Sequence, residues 1–166
     1  IHFTFYTPIY NSDYEFYTNQ VLALIKKLKL EKYINLDLHY YDDYEILDCL
    51  SEMDAIIYPY QISNESSSAS VRQGIASGTR VIVTPISIFE DVLDVVDVLP
   101  GTTSEDIAKG ISQWINISKD SKSYQLNNDK LSLLNQWRDS HQFSNLSCRL
   151  SGIVSALEVA KSFDNS

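Results

Sequence analysis

The sequence predicts an α/β domain in which helices cover both faces of a parallel sheet, and three observations predict it. Short apolar runs typical of strands alternate along the chain with segments of helical periodicity. Two of these runs, at 55–58 and 81–83, are apolar throughout, as expected of strands that are buried on both faces. With 166 residues, of which 44% are hydrophobic, the chain is long enough to bury a core. We therefore expect one domain over 1–166.

The first third of the chain predicts two strands and two helices. Ile1–Tyr6 has a strand pattern that ends at the breaker Thr7-Pro8, and Ile34–Tyr40 predicts the second strand. We expect Ser12-Asp13 to cap the first helix and Asp42-Asp43 to cap the second. The predicted apolar face of the first helix consists of Tyr17, Val21, Leu24, Ile25 and Leu28.

The middle of the chain predicts a strand, a helix and a further strand in close succession. The run Ala55–Tyr58 is stopped by Pro59, and the helix Ser66–Ser77 follows. Gly78 is expected at a left-handed helix C-terminus, directly before the buried strand Val81–Val83.

The remainder predicts short elements followed by longer helices. A helical stretch at 87–93 leads to a strand at 96–99, and Thr103 opens a helix whose acidic first turn suits the helix dipole. The polar segment 118–128 predicts a surface loop, and 129–166 predicts C-terminal helices.

Charge and composition exclude several kinds of partner. The net charge of −9 would repel a polyanion, so nucleic acid is not an expected partner. Cys49 and Cys148 lie far apart without metal-ligand spacing, so we expect reduced thiols, no metal site and a cytoplasmic location. The sequence has no apolar run of the roughly 20 residues that span a bilayer.

The turn after Tyr58 is the most informative segment for function. Small polar residues join the buried strand to the next helix, and ligands of parallel sheets bind beyond the carboxyl ends of the strands. The unpaired N–H groups of a helix N-terminus and its dipole would bind an anion there. A serine-rich segment whose hydroxyls only accept the unpaired N–H groups of the helix, without any ligand, would have the same sequence pattern.

A longer motif surrounds this turn. Glu65 is followed eight positions later by Gln73, and then by 75–84, where small residues and Gly78 precede a buried strand. This arrangement resembles the donor-site motif of GT-B glycosyltransferases of the retaining family-four type. The resemblance is strongest over 55–117 and covers most of the chain more weakly.

The resemblance implies a role for each matching position. Glu65 would lie near the donor sugar, and backbone amides after it would meet the diphosphate, at Ser66, Ser67, Ser68 and Ala69. Gln73 stands where the family has a second acid that holds the ribose, and a glutamine would bond a hydroxyl without charge assistance. The resemblance also implies that Tyr41 borders the base. Arg72 lies within the motif, and its sequence position is compatible with an ion pair to the diphosphate or with a surface or structural role on the helix.

The same resemblance implies the wider context. The chain would be a Rossmann-like C-terminal half of a GT-B fold that lacks the first strand of this half, and its partner would be an N-terminal acceptor-binding domain. A hexose would pass from a nucleotide diphosphate sugar to a glycan or lipid-linked acceptor, in bacterial polysaccharide biosynthesis. No metal or other cofactor is expected, the fragment alone would be inactive, and any peripheral membrane contact would come from the other half.

Two other functions remain open on the sequence. The first is a non-catalytic nucleotide-binding or docking module of the same fold, which the uncharged Gln73 favours. The second is a flavodoxin-like domain that binds another phosphate ligand.

Overall fold

The computed structural model describes residues 1–9, 11–119 and 128–164. The chain divides into two compact units, Ile1–Ile46 and Leu47–Ser166, each described by itself below. One unit contains a two-stranded sheet and the other a three-stranded sheet, and all described strand pairs are parallel. The predicted α/β class is therefore confirmed.

The first unit is built from a strand, a helix and a second strand. β1 (Phe3–Tyr6) pairs in parallel with β2 (Ile34–Asp37), and α1 (Ser12–Lys27) connects them. The side chain of Asn11 caps α1 by accepting bonds from the amides of residues 13 and 14, at 3.0 and 3.2 Å. The predicted cap was therefore placed too late, since residue 12 is already helical.

The apolar face predicted for α1 is largely exposed. Ile25 is 8% exposed, whereas Tyr17, Val21, Leu24 and Leu28 each expose more than a third of their surface. The spacing predicted the helix correctly, but most of its apolar face is not buried. Periodicity reports the conformation of a segment, and burial depends on what packs against it.

α2 (Asp43–Ser51) begins with a reciprocal cap. The Asp42 carboxylate accepts bonds from the amides of Tyr44 and Glu45 at 2.8 and 2.9 Å, and the Glu45 carboxylate accepts the Asp42 amide at 3.0 Å. These bonds satisfy amides that have no acceptor within the helix. The sequence placed the cap at the Asp42-Asp43 pair, and Asp42 supplies it.

The sheet of the second unit has the order β3-β4-β5. β3 (Ile56–Tyr58) and β5 (Asp97–Val98) flank β4 (Val81–Val83), so the carboxyl ends of all three strands meet at one edge. All three residues of β4 are buried. Both predicted buried runs are therefore strands of one parallel sheet.

Helices follow each strand of this sheet. α3 (Ala69–Ala76) follows β3, and a 3-10 segment (Ser87–Val92) follows β4. The chain then continues through the remaining helices, which are α4 (Ser104–Lys119), α5 (Asn128–Ser140) and α6 (Phe143–Asp164). The predicted loop at 118–128 is helical at 118–119 and at 128, and 120–127 lies outside the described residues.

The core of the second unit lies around β4. Val71 and Ile75 of α3 are fully buried, as are three residues of the 3-10 segment, namely Ile88, Phe89 and Val92. At the end of α3, Gly78 adopts the left-handed backbone that the sequence predicted, with φ +81°. Side chains of α3 and of the 3-10 segment therefore both contribute to this core.

A glycine allows α3 to approach the sheet closely. A Cβ added at Gly74 would lie 2.8 Å from the Tyr58 hydroxyl and 3.2 Å from Cγ2 of Val81. Both neighbours are held in the sheet, and Gly74 itself is buried. The position therefore has no room for a larger side chain.

We expect Gly74→Ala to lower the free energy of unfolding by about 1–3 kcal/mol, because the added methyl overpacks the interface between α3 and the sheet. Urea unfolding followed by circular dichroism measures the change. Gly152→Ala in α6 is the matched control, since its Cβ would meet no atom within 4 Å and alanine favours a helix. Equal effects of the two substitutions would contradict the packing argument.

Candidate functional site

The turn between β3 and α3 is held at its beginning by Thr84. This buried threonine lies at the carboxyl end of β4, and its hydroxyl donates a hydrogen bond to the carbonyl of Tyr60. The Tyr60 ring packs against Phe89, with ring centroids 5.4 Å apart. The first residues of the turn are therefore held in a fixed direction relative to the sheet. The sequence analysis did not identify Thr84 as part of the candidate site.

Ser68 fixes the end of the turn and the start of α3. Its backbone is extended, with φ −103° and ψ 120°, and its hydroxyl accepts the amide of Val71 at 3.3 Å. Ser68 is 3% exposed, so this cap is a buried one. α3 starts at Ala69, and the start predicted at Ser66 was three residues early.

This start changes which amides face outward from the helix. The first amides of a helix have no helical acceptor, and here they belong to Ala69 and Ser70. Ser66 and Ser67 precede the helix with exposed side chains, while Ser68 uses its hydroxyl for the cap. The sequence analysis did not include the amide of Ser70 among the candidates. The spacing could have indicated it, because a cap at Ser68 that accepts the Val71 amide makes Ala69 and Ser70 the first two helical residues.

Glu65 lies on the same turn, three residues before the cap. Its side chain is exposed, and its backbone amide donates to the Ser63 hydroxyl at 3.2 Å. The structure therefore places Glu65 on the connection into α3, with a local turn that shapes the backbone at that point.

Arg72 lies on α3 beside the cap. Its Nη1 donates to the Ser68 carbonyl at 2.8 Å, and its Nη2 forms an ion pair with the Asp91 carboxylate. Asp91 belongs to the 3-10 segment and was missed by the sequence reasoning, because a pairing 19 residues apart leaves no local signal. The predicted diphosphate role of Arg72 stays a prediction.

Gln73 is half-buried on the same helix. It lies one position beyond Arg72, so it faces another side of the helix. The structure brings Glu65, the serines and Gln73 onto one strand–turn–helix unit. The ribose role of Gln73 stays a prediction.

The Tyr58 hydroxyl ties α3 to the end of β3. It donates to the carbonyl of Ser70 at 2.6 Å, within the first turn of the helix. Burial raises the pKa of Tyr58 well above its usual value, and the nearby Tyr60 adds to this. The hydroxyl therefore remains a neutral donor at physiological pH.

Tyr41 belongs to the first unit. Its hydroxyl donates to the Asp37 carboxylate at 2.8 Å, and its ring contacts those of Tyr6 and His39 edge-on, at 5.9 and 4.7 Å. Asp37 ends β2, so Tyr41 follows the carboxyl end of that strand. Its predicted contact with a base stays a prediction.

Within 1–9, 11–119 and 128–164, no group of three His, Cys, Asp or Glu side chains is arranged to hold a metal ion. No helix in this described part of the chain has the length and apolar character of a membrane span.

Solved structures with a similar fold include a glycosyltransferase, a sucrose-phosphate synthase and a starch synthase. One is a glycosyltransferase from Rickettsia africae ESF-5, with a TM-score of 0.64 and 20% identity, matched over 82% of this chain and 35% of that one. Sucrose-phosphate synthase from Thermosynechococcus elongatus has a TM-score of 0.67 and 12% identity, with coverage of 95% and 38%. The catalytic domain of starch synthase IV from Arabidopsis thaliana, bound to ADP and acarbose, has a TM-score of 0.50 and 12% identity, with coverage of 80% and 28%.

These matches define the class of fold. The chain has the α/β fold of GT-B glycosyltransferases, with parallel sheets flanked by helices. It spans little more than a third of the length of the first two matched structures. No family model matches the sequence, and no curated protein matches it either.

We expect Ser68→Ala to lower the free energy of unfolding by about 1 kcal/mol or more, because it leaves the Val71 amide without its capping acceptor. Thermal or urea unfolding measures this loss. Ser67→Ala is the control, since the exposed Ser67 side chain should be replaceable within about 0.5 kcal/mol. A larger loss at Ser67 than at Ser68 would show that the helix starts earlier in solution.

Proposed function

We propose that the chain is the donor-binding domain of a glycosyltransferase and binds a nucleotide diphosphate sugar at the turn between β3 and α3. One observation carries the proposal. The first amides of α3, on Ala69 and Ser70, stand at the end of the turn 59–68, which leaves the carboxyl end of the parallel strand β3. Such a helix start binds phosphate through its N–H groups and its dipole.

The fold matches support this choice of ligand. The three matched proteins described above are named as a glycosyltransferase, a sucrose-phosphate synthase and a starch synthase, and the starch synthase domain is described as bound to ADP and acarbose. A nucleoside diphosphate is the product that remains when a nucleotide sugar gives up its sugar. The phosphate-binding turn and the matched fold thus favour the same class of donor.

The chemistry of transfer suits this site. As the bond between sugar and diphosphate breaks, negative charge develops on the leaving diphosphate. The fixed amides of Ala69 and Ser70 would stabilise that charge without reorganising. Glu65 would orient the donor sugar, because its exposed carboxylate lies on the turn that leads to these amides. Gln73 would bond a ribose hydroxyl.

The remaining parts of the proposal follow from the resemblance. A hexose would be transferred with retention of configuration to a glycan or lipid-linked acceptor held by an N-terminal domain. The reaction would take place in the cytoplasm of a bacterium and serve polysaccharide synthesis. It would need no metal, because the helix terminus takes over the role of a cation. The chain alone would bind the donor without transferring the sugar.

Removal of one amide tests the phosphate site. We expect Ala69→Pro to weaken the binding of ADP, GDP or UDP, whichever binds the wild-type chain, by about tenfold to a hundredfold, the value of one hydrogen bond to a charged group. Proline deletes the N–H at the first helical position but is compatible with the helix and with the extended Ser68 before it. Isothermal titration calorimetry measures the dissociation constants.

Ala69→Ser is the matched control, because it keeps the amide and adds only a small polar group to an exposed side chain. Its dissociation constant should stay within about twofold of the wild-type value. Unchanged binding by the proline variant would place the diphosphate elsewhere. Failure of all nucleoside diphosphates to bind the wild-type chain would refute the proposed function.

Glu65→Gln separates the transferase from a non-catalytic nucleotide-binding module. We expect this variant to bind the nucleoside diphosphate like the wild type and the corresponding nucleotide sugar at least about threefold more weakly, because it loses a charged contact with the sugar. Titrations with both ligands give the ratio of their dissociation constants. Equal ratios in the variant and the wild type would favour the module.

A further inference from the structure

The ion pair between Arg72 and Asp91 stands next to the proposed phosphate site. The Arg72 guanidinium contacts the carbonyl of Ser68, the residue that caps α3. Arg72 lies three residues after Ala69, or about 4.5 Å along the helix axis. Helical side chains lean toward the N-terminus, so its charge lies near the first turn.

The Arg72 guanidinium contacts a carbonyl group that points away from the N-terminal amides of α3. The carbonyl of Ser68 and the amide of Ala69 belong to one trans peptide, so they point in opposite directions. Arg72 contacts the carbonyl, whereas an anion would bind the amide. The guanidinium must therefore turn from its present partners before it can contact a bound diphosphate.

The ion pair allows such a turn. The Arg72 and Asp91 side chains are 33% and 46% exposed, so water can solvate either group when they separate. The backbone beneath Asp91 is fixed, because Ile88, Phe89 and Val92 of the same 3-10 segment are fully buried. Separation thus needs only side-chain rotation.

We propose that Asp91 is a resident counter-ion that holds Arg72 in the free protein and that the diphosphate of the donor displaces it. The proposal rests on the proposed function of the site. A diphosphate carries more negative charge than one carboxylate. Its oxygens accept two parallel hydrogen bonds from the planar guanidinium, as the oxygens of a carboxylate do. Asp91 therefore lowers donor affinity and limits the binding of weaker anions.

The opposite effects of two substitutions test this competition. Asp91→Asn should tighten nucleoside diphosphate binding by about three- to tenfold, whereas Arg72→Gln should weaken it by about tenfold. In the Arg72→Gln background, Asp91→Asn should change the dissociation constant by less than about twofold, because no guanidinium remains to be released. Calorimetric titration of the wild type, the two single variants and the double variant gives the four dissociation constants of this double-mutant cycle.

Asp94→Asn is the matched control for charge. It removes an exposed carboxylate three residues beyond Asp91, and its dissociation constant should stay within about twofold of the wild-type value. If Asp94→Asn and Asp91→Asn tighten the binding of the nucleoside diphosphate equally, the effect arises from the change in net charge alone and the proposal is overturned. Weaker or unchanged binding by Asp91→Asn would also overturn it.

A second measurement follows Arg72 directly. The Nε–H resonance of Arg72, assigned by its loss in the Arg72→Gln variant, should shift on addition of the nucleoside diphosphate that binds. An unshifted resonance with a bound diphosphate overturns the counter-ion proposal and leaves the proposed function standing. A wild-type chain that binds no nucleoside diphosphate overturns both.

Discussion

The close contact between α3 and β3 determines the rest of the candidate site. Gly74 lets the helix approach until the Tyr58 hydroxyl reaches the Ser70 carbonyl at 2.6 Å. A larger residue at position 74 would push the helix away and break this bond. Because the bond lies in the first turn of α3, it fixes the helix tip relative to the carboxyl edge of the sheet. A phosphate site made of backbone amides depends on that placement.

The strands were predictable because their burial appears directly in the sequence. Ile56–Tyr58 and Val81–Val83 are apolar on both faces, and the helix between them is the crossover that two parallel strands need. The start of α3 was less predictable, since each serine from Ser66 to Ser68 has a hydroxyl that caps helices well. Only packing selects among them, and it selects the buried Ser68. Composition cannot show this choice.

The contacts that position the candidate site could not be predicted from the sequence, because they too depend on packing. Thr84 bonds to Tyr60 across 24 residues, and Arg72 pairs with Asp91 across 19. Neither pair forms a local motif, so spacing gives no signal. The resemblance singles out the turn and Glu65 as candidates because the residues of the motif are contiguous in the sequence. It could not show that Arg72 already has an acidic partner.

Under the proposed function, neutralisation of Arg72 by Asp91 would also explain how an acidic chain keeps an anion site that small anions do not occupy. The net charge of −9 opposes any phosphorylated ligand at long range. A guanidinium left unpaired beside the helix tip would counter this charge but would also attract any small anion in solution. Pairing it with Asp91 removes that attraction until a ligand arrives that also bonds the amides of Ala69 and Ser70. Only an anion large enough to meet the helix tip and Arg72 together gains from both, and a diphosphate has that length.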